Sequence, residues 1–262
     1  MRRRDFDLIA FDGDDTLWHN ERSFREGRDQ FRRLLSRAGV VLSSEEIDVC
    51  VNRIEEANLQ YYGYGVSSFV LSLVETAIDL TDGQISGRDL RDLIDLAKHM
   101  LTEEIEVFPG AHEALTTLAR SSPLMLITKG DLLHQRSKLD RSGLAGCFRF
   151  IEVVSHKTAD VYTSILSRHD ISADRFLMVG NSLRSDILPV VEAGGSAVYI
   201  PAAVSWSHEH ADVPAHAHGR YVEVPTLEQL PDAIRTLVKT SPSPRVAPAS
   251  GRRRPAAGNR RS

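Results

Sequence analysis

An apolar segment near the start of the chain stops abruptly at three carboxylates. The segment from Phe6 to Phe11 predicts a buried strand, and Asp12, Asp14 and Asp15 follow it within four positions. Carboxylates this close repel one another and raise one another's pKa, so their burial is unfavourable without a compensating cation. Asp12 and Asp14 are two residues apart and face the same way if the strand geometry continues. The segment therefore predicts a site that holds a metal ion or performs a reaction.

Length and composition indicate a globular protein with a sizeable core. The 262 residues suit one large α/β domain, or a core with an inserted smaller domain, and 42% of them are apolar. The net charge is -4, but the last 22 residues contain six arginines and no acidic residue, so the rest carries about -10. We therefore expect no specific nucleic-acid partner.

The cysteines and the start of the chain bear on the compartment. Cys50 and Cys147 are too few for a disulfide framework and lack C-x-x-C spacing, which favours a reducing compartment. The basic residues at positions 2–4 precede an apolar run that stops at Asp12, too short for a signal peptide or a membrane span. We expect a cytoplasmic protein without membrane association.

After Leu17 the hydrophobic pattern changes to helical spacing, and no convincing strand occurs before Leu124. Four amphipathic helices are expected in this interval, and together they predict a helical bundle. Their signals are apolar residues from Phe24 to Leu35, a capping box of Ser43 with Glu46, apolar residues from Phe69 to Ile78, and a helix from Ser86 or Gly87 to Leu101.

From Pro109 onward, helices and strands alternate. The predicted helices are 110–121, 131–142, 159–169 and 184–193, and the predicted strands are 124–128, 148–154, 176–179 and 197–200. A last helix, 226–239, follows the segment 221–224. Such alternation predicts a doubly wound, Rossmann-like parallel sheet with helices on both faces. The predicted fold class is thus α/β, with a core of residues 1–17 and 107–240, a helical insertion of 18–106 and a disordered basic tail of 241–262.

Polar residues follow several of the predicted strands. Asp12 ends the first strand, Thr128 ends the second, Lys157 follows the third and Asn181 follows the fourth. Ligands of doubly wound sheets bind outside the carboxyl ends of the strands. We therefore expect these four residues to converge on one edge of the sheet, where the inserted helices also begin.

The segment Asp12–Thr16, with the sequence DGDDT, resembles the Asp-x-Asp-x-Thr signature of the haloacid dehalogenase superfamily, whose members are mostly Mg²⁺-dependent phosphohydrolases. Thr128 in LITKG resembles the second motif of that superfamily, and Lys157 in SHKT resembles the third. The segment Gly180–Asp186 resembles the fourth motif, Gly-Asp-x-x-x-x-Asp, but has Asn181 at the first acidic position. In this superfamily the helical insertion is a cap over the active site.

The resemblance implies roles for individual residues. Asp12 would be the nucleophile that forms an aspartyl-phosphate, and Asp14 would be the general acid and then the base. Thr128 and Lys157 would complete the catalytic group by holding the phosphoryl group. The implied phosphate-binding residues are Gly13, Thr128, Lys129 and Lys157, and the implied Mg²⁺ ligands are Asp12, Asp14 through its carbonyl, Asp186 and Asn181.

The amide at position 181 departs from the superfamily pattern. An amide oxygen can ligate Mg²⁺ but brings no negative charge, so we expect weaker metal binding or a larger share for Asp186. Thr16 and Asp15 are expected to have structural roles in the loop.

The expected function is hydrolysis of a small phosphorylated metabolite, with a layout similar to that of phosphoglycolate phosphatases. One alternative is a 2-haloacid dehalogenase, in which Asp12 attacks carbon without a metal and the position of Asp14 typically lacks an acid. The other is a phosphate-binding module that has lost turnover, which Asn181 alone favours. The substrate and the oligomeric state are left open.

Two further groups of residues have more than one interpretation. His208, His210, His216 and His218 form two His-x-His pairs, which suit either a solvent-facing loop or a transition-metal site. Tyr61, Tyr62, Tyr64 and Phe69 in the insertion suit a substrate pocket and helix packing equally well.

Overall fold

A computed structural model describes residues 5–202, 211, 214, 217 and 219–240. It contains one sheet of six strands. The strands are β1 (Leu8–Phe11), β2 (Leu124–Lys129), β3 (Phe150–Val154), β4 (Phe176–Gly180), β5 (Ser196–Tyr199) and β6 (Tyr221–Glu223).

The strands run parallel in the order β3-β2-β1-β4-β5-β6, so β1 lies between the second and fourth strands of the chain. Ile9 of β1 is opposite Leu124 of β2, and Leu177 of β4 lies opposite Ile9 from the other side. All four residues of β1 are buried, as expected of a strand with helices on both faces. The predicted doubly wound α/β fold is confirmed.

Helices connect the strands and form the inserted segment. They are α1 (Glu21–Arg37), α2 (Ser44–Tyr62), α3 (Val66–Leu80), α4 (Gly87–Thr102), α5 (Ala111–Ala119), α6 (Leu132–Arg141), α7 (Ala159–Arg168), α8 (Leu188–Glu192) and α9 (Leu230–Thr240). The capping box before α2 is present, because the Ser43 hydroxyl accepts from the Glu46 N–H at 3.2 Å and the Glu46 carboxylate accepts from the Ser43 N–H at 2.8 Å.

The predicted helix over 184–193 is not continuous. Residues Leu183–Ile187 form a π-helical turn, and α8 begins only at Leu188. Pro189 has no N–H to donate to the carbonyl of Ser185, and that carbonyl accepts from the Tyr162 hydroxyl at 3.0 Å instead. The hydrophobic pattern alone did not indicate this break.

The helices α1 to α4 pack around an apolar cluster of their own. It is centred on Phe31, Leu35, Leu73 and Leu93, each at most 1% exposed. Separate apolar clusters cover the two faces of the sheet, one around Phe11 and Leu126 and one around Leu8 and Met178. The inserted helices and the sheet therefore have distinct cores.

Two adjacent chain segments join the inserted helices to the sheet. The His19 N–H donates to the Glu106 carbonyl at 2.9 Å, and the Phe108 N–H donates to the Leu17 carbonyl at 2.9 Å. Trp18 lies between these bonds, fully buried, and pairs with Val107 in an antiparallel bridge. The insertion thus leaves and rejoins the sheet at one place, beside the carboxyl end of β1.

Within the described residues, no helix has both the length and the apolar character needed to cross a bilayer. Cys50 and Cys147 are both free thiols.

Candidate active site

The carboxyl ends of β1, β2, β3 and β4 face a cleft of about 1140 Å³ that includes space open to solvent. The residues of the sheet edge that line it are Asp12, Asp14, Thr128, Lys129, Lys157, Asn181 and Asp186. Residues of α1, α2 and α3 line its opposite wall, among them Glu21, Arg28, Glu55 and Phe69. The convergence predicted from the strand ends is therefore present in the structure.

Lys157 lies between two carboxylates at the base of the cleft. Its Nζ donates to Asp12 Oδ1 and, at 2.7 Å, to Asp186 Oδ1. The three side chains are 1%, 9% and 1% exposed for Lys157, Asp12 and Asp186 respectively. A buried ammonium shared by two buried carboxylates compensates charges that would otherwise be very unfavourable there.

The burial of this triad shifts its protonation equilibria. Burial raises the pKa of the Asp12 carboxyl to about 7, even though Lys157 opposes the shift. Burial by itself would lower the pKa of Lys157, but Asp12 and Asp186 outweigh it and raise that pKa above its ordinary value. Lys157 is therefore cationic throughout the range in which Asp12 titrates.

Asp186 is held from both sides. Its Oδ1 accepts from Lys157, and its Oδ2 accepts from the Ser182 N–H at 3.1 Å. A methyl group at Gly180 would lie 2.4 Å from the Asp186 carboxyl carbon, so the close approach of strand and carboxylate depends on glycine. Direct ligation of Mg²⁺ by Asp186 stays a prediction.

The loop after β1 is ordered by the residues with expected structural roles. The Asp15 carboxylate accepts from the N–H groups of Asn20 at 2.9 Å and Glu21 at 3.1 Å, at the start of α1. Asp15 adopts a left-handed conformation with φ of 57°, which allows the chain to turn sharply. The Thr16 hydroxyl donates to Asp12 Oδ2 at 3.3 Å. Both structural expectations are confirmed.

Gly13 forms the turn itself. Its carbonyl accepts from the Leu17 N–H at 2.8 Å, and a side chain at this position would lie 2.6 Å from the Trp18 indole. The predicted part of Gly13 in phosphate binding stays a prediction.

The Asp14 side chain is surrounded by three donors that the sequence analysis did not identify. Lys138 Nζ donates to Asp14 Oδ1 at 2.8 Å, Trp18 Nε1 donates to the same oxygen at 2.7 Å, and Gln135 Nε2 donates to Oδ2 at 2.9 Å. Lys138 also donates to the Asn20 side chain. We call Trp18, Gln135 and Lys138 the Asp14 clamp.

The clamp residues carried a weak signal in the sequence. Gln135 and Lys138 are three residues apart on α6, so they share one face of the helix that follows the strand end at Thr128. Both are buried, although Gln and Lys are usually exposed. Helical spacing predicts that they share a face, but not that this face points to Asp14.

Asp14 and Asp12 have opposite electrostatic environments. Burial by itself would raise the pKa of Asp14, but Lys138, with the hydrogen bonds of Gln135 and Trp18, lowers it below its ordinary value. Of the two carboxyls, Asp14 therefore loses its proton more readily and Asp12 keeps its proton more readily.

Asn181 lies beside the Asp12 carboxylate and the Asp14 carbonyl. With its nitrogen turned inward, Asn181 donates to Asp12 Oδ2 and to the Asp14 carbonyl oxygen, both at 3.3 Å. Turned the other way, its Oδ1 accepts from the Thr16 hydroxyl at 3.2 Å and faces those same two oxygens.

The second orientation places three oxygens together without a hydrogen between them, an arrangement that a cation would stabilise. One carboxylate with neutral oxygens suits Mg²⁺, which keeps several waters and binds few protein groups. Within the described residues there is no group of three or more His, Cys, Asp or Glu side chains that would form a metal site of protein ligands alone. The carboxylate, carbonyl and amide oxygens gathered at Asp12 are of the kind that Mg²⁺ binds.

Thr128 and Lys129 end β2 at the wall of the cleft. Thr128 is buried, and its hydroxyl lies 3.5 Å from the Lys129 carbonyl oxygen, at the limit of a hydrogen bond. Lys129 Nζ donates to Ser185 Oγ at 2.9 Å and lies 4.5 Å above the centre of the Tyr64 ring. Their predicted parts in catalysis and phosphate binding stay predictions.

The aromatic residues of the insertion divide into two groups. Tyr64 and Phe69 line the cleft, and Phe69 also packs in the helical cluster. Tyr61 and Tyr62 are 73% and 54% exposed and do not line it. The four histidines at positions 208, 210, 216 and 218 and the tail of residues 241–262 lie outside the described residues.

The fold and the site are those of an α/β protein with a buried aspartate at the end of its first strand, and comparison with known proteins specifies the family. The model of the haloacid dehalogenase-like hydrolases matches residues 6–194. A search of the curated proteins gives no match.

Solved structures of haloacid dehalogenase-like proteins are also similar to this chain. A haloacid dehalogenase-like family hydrolase from Xanthomonas campestris is 38% identical, with 91% of this chain and 94% of that chain covered and a TM-score of 0.80. A 2-haloacid dehalogenase from Pseudomonas syringae pv. tomato is 20% identical, with 88% and 98% covered and a TM-score of 0.60. A predicted phosphoglycolate phosphatase from Haemophilus somnus is 15% identical, with 87% and 97% covered and a TM-score of 0.58.

The chain belongs to the haloacid dehalogenase-like hydrolases. The similarity to the two more distant structures shows a shared fold only. Those two proteins are described with different activities, a dehalogenase and a predicted phosphatase. Whether this chain attacks phosphorus or carbon must therefore be argued from its own site.

The contact between Gly180 and Asp186 gives a prediction. We expect Gly180→Ala to lower the free energy of unfolding by about 1–3 kcal/mol, because the added methyl group collides with a carboxylate held by Lys157. Gly146→Ala is the matched control, since a methyl group there meets nothing within 4 Å. Urea denaturation of both variants measures the difference. A Gly180→Ala protein as stable as the control would contradict the described packing.

Proposed function

We propose that the chain is a Mg²⁺-dependent phosphomonoesterase that hydrolyses a small phosphorylated metabolite through an aspartyl-phosphate on Asp12. The observation that carries this proposal is the combination of Asp12 with buried Lys157 on one side and a second, separately held carboxylate, Asp14, on the other. A dehalogenase attacking carbon has no need of the acid at position 14.

In the proposed reaction, Asp12 is the nucleophile. A carboxylate and a phosphoryl dianion repel each other, and the ammonium of Lys157 reduces that repulsion at the atom that attacks. Asp186 keeps Lys157 at this position from the opposite side. Asp186 is therefore proposed to position the lysine in addition to its predicted metal contact.

The first chemical step joins an Asp12 oxygen to phosphorus and breaks the ester P–O bond, and the leaving alkoxide takes a proton from Asp14. The phosphoryl dianion favours the protonated form of a nearby carboxyl, so Asp14 can carry that proton in the complex. In the second step Asp14 removes a proton from water, which attacks phosphorus and releases phosphate and Asp12. General acid–base catalysis of this kind typically contributes about 10²- to 10⁴-fold.

The proposed Mg²⁺ ligands are Asp12, the Asp14 carbonyl and Asn181, with Asp186 as a further candidate. When bound, Mg²⁺ supplies positive charge that screens the phosphoryl oxygens and orients the ester. Gly13, Thr128 and Lys129 are proposed to complete the phosphate site around Lys157 through the N–H groups of the turns, the hydroxyl and the ammonium.

We further propose that residues 1–17 and 107–240 form the catalytic core and residues 18–106 form the cap. The separate apolar clusters and the paired connecting segments at Leu17–Trp18 and Val107–Phe108 support this division. A cap joined at one place can close over the cleft and exclude water before chemistry.

The first test is release of inorganic phosphate from p-nitrophenyl phosphate and from a panel of sugar, nucleotide and glycolate phosphates, with Mg²⁺ and with EDTA. We expect Mg²⁺-dependent turnover that Asp12→Asn abolishes, because an amide cannot form the acyl-phosphate. Release of halide from 2-chloropropionate is measured in parallel. Halide release without added metal, together with stable esters, would instead support the dehalogenase. Binding of esters with neither turnover would support the module that has lost activity.

The Asp14 clamp gives a second prediction. Lys138→Met should lower kcat/KM by about tenfold or more for an alkyl phosphate, whose leaving alkoxide needs a proton from a correctly placed Asp14. For p-nitrophenyl phosphate, whose leaving group needs no proton, we expect a change of less than about threefold. The ratio kcat/KM is the appropriate quantity because it reports the first step and not the hydrolysis of the aspartyl-phosphate.

Arg136→Met is the control for this prediction, because Arg136 is exposed on the same helix. It should leave both esters unaffected. Equal losses for both esters in Lys138→Met would indicate a general structural effect and would contradict a positioning role for Lys138.

A further inference from the structure

Among the residues that the structure describes, the wall of the cleft opposite the proposed phosphate site contains one cationic side chain, Arg28, and it is already paired. Arg28 donates to the Glu55 carboxylate, and its Nη1 lies 4.0 Å from Asp48. The same guanidinium lies 5.8 Å from the centre of the Phe69 ring, and its side chain is 17% exposed. Arg28 is thus neutralised and fixed before any substrate enters.

The cations of the sheet edge that line the cleft are also engaged. Lys157 is bound by Asp12 and Asp186, and Lys138 by Asp14. Lys129 donates to Ser185 and lies over the Tyr64 ring. A second anionic group on a substrate would have to displace one of these partners to gain an ion pair.

Glu21 differs from these paired cations because it is an anionic side chain without a partner among the described residues. It is the first residue of α1 and lines the cleft, and within the part of the chain that the structure describes its carboxylate has no hydrogen bond or ion pair. Burial, followed by the nearby Asp15, raises the pKa of Glu21 to about 7, while Arg28 opposes the shift. A half-buried carboxylate without a partner is unfavourable until a donor reaches it.

Among the described residues that line the cleft, negatively charged side chains also outnumber positively charged ones. Six carboxylates and four cationic side chains line it. A bound Mg²⁺ would offset the difference, and the phosphoryl dianion then makes the filled site negative. A further negative charge on the leaving alcohol is therefore repelled, whereas a hydroxyl or ammonium group is attracted.

On the basis of the proposed phosphatase activity, we infer that the cleft selects phosphate monoesters whose alcohol carries hydroxyl or ammonium donors and no second anionic group, and that Glu21 receives those donors. This excludes carboxylated esters such as phosphoglycolate as preferred substrates, although the layout is similar to that of phosphoglycolate phosphatases. The apolar side chains of Phe24, Leu59 and Phe69, which line the same cleft as Glu21, suit the carbon skeleton of such an alcohol.

The test compares esters that differ in charge at similar size. One series is glucosamine 6-phosphate, glucose 6-phosphate and 6-phosphogluconate, and a smaller series is ethanolamine phosphate and phosphoglycolate. Each ester is measured as a substrate and as a competitive inhibitor of p-nitrophenyl phosphate hydrolysis at about pH 8, above the raised pKa of Glu21. We expect the ammonium and hydroxyl esters to exceed the carboxylated ester of their series by about tenfold or more in kcat/KM or in affinity.

Glu21→Gln tests the residue itself. It should reduce the ratio between glucosamine 6-phosphate and 6-phosphogluconate by about tenfold and leave p-nitrophenyl phosphate hydrolysis within about threefold. Glu26→Gln is the matched control on the same helix, because Glu26 lies on the surface and pairs with Arg22. It should leave the ratio unchanged.

The outcomes separate the two levels of the proposal. Hydrolysis of p-nitrophenyl phosphate with a preference for the carboxylated esters, or a ratio that Glu21→Gln does not change, would overturn the inference and leave the phosphatase intact. Absence of any ester hydrolysis would overturn the proposed function, and the inference with it.

Discussion

The ion pairs of Lys157 with Asp12 and Asp186 are the interaction on which the site depends. Three loops deliver these side chains, after β1, β3 and β4, and they meet because β1 lies at the centre of the parallel sheet. Each side chain is less than one-tenth exposed, so removal of Lys157 would leave two buried carboxylates without compensation, and loss of one partner of a buried pair typically costs about 3–5 kcal/mol. The fold therefore holds Asp12, the proposed nucleophile, against its cation before substrate binds.

A second ion pair separates the two carboxylates of the first motif. Asp12 and Asp14 are two residues apart, yet one is bound by Lys157 and the other by Lys138. Burial raises the pKa of Asp12, while the clamp lowers that of Asp14, so these chemically identical carboxyls lie in opposite electrostatic environments. The proposed roles need the reverse protonation, with Asp12 ionised and Asp14 protonated. A cation bound beside Asp12 and a phosphoryl dianion beside Asp14 would shift the two pKa values in that direction.

The sequence predicted what depends on local pattern and chain order. The alternation after Pro109 indicated the parallel sheet, and polar residues after successive strands indicated where Asp12, Thr128 and Lys157 meet, because parallel strands share one carboxyl edge. The same reasoning missed the break at Pro189, where a hydrogen bond from a distant tyrosine replaces the helical one.

Contacts between elements that are distant in the sequence could not be predicted from local sequence pattern. The spacing of Gln135 and Lys138 shows that they share a face of α6, but only the packing of α6 against the loop after β1 directs that face to Asp14. Likewise, Glu21 and Arg28 are two charged residues on an amphipathic helix, and periodicity cannot tell which of them meets a partner on α2. The sequence shows which charged side chains are present, but only the tertiary structure shows which of them form hydrogen bonds or ion pairs with one another.

The central claim is that Asp12 attacks phosphorus, and turnover in water enriched in ¹⁸O tests it most directly. Attack on phosphorus followed by hydrolysis of the aspartyl-phosphate places the label in the released phosphate and leaves the peptide containing Asp12 unlabelled. Attack on carbon makes an aspartyl ester whose hydrolysis at the carboxyl carbon places the label in Asp12 itself. Labelled phosphate with unlabelled Asp12 is the predicted result, and label in the Asp12 carboxylate would contradict the account.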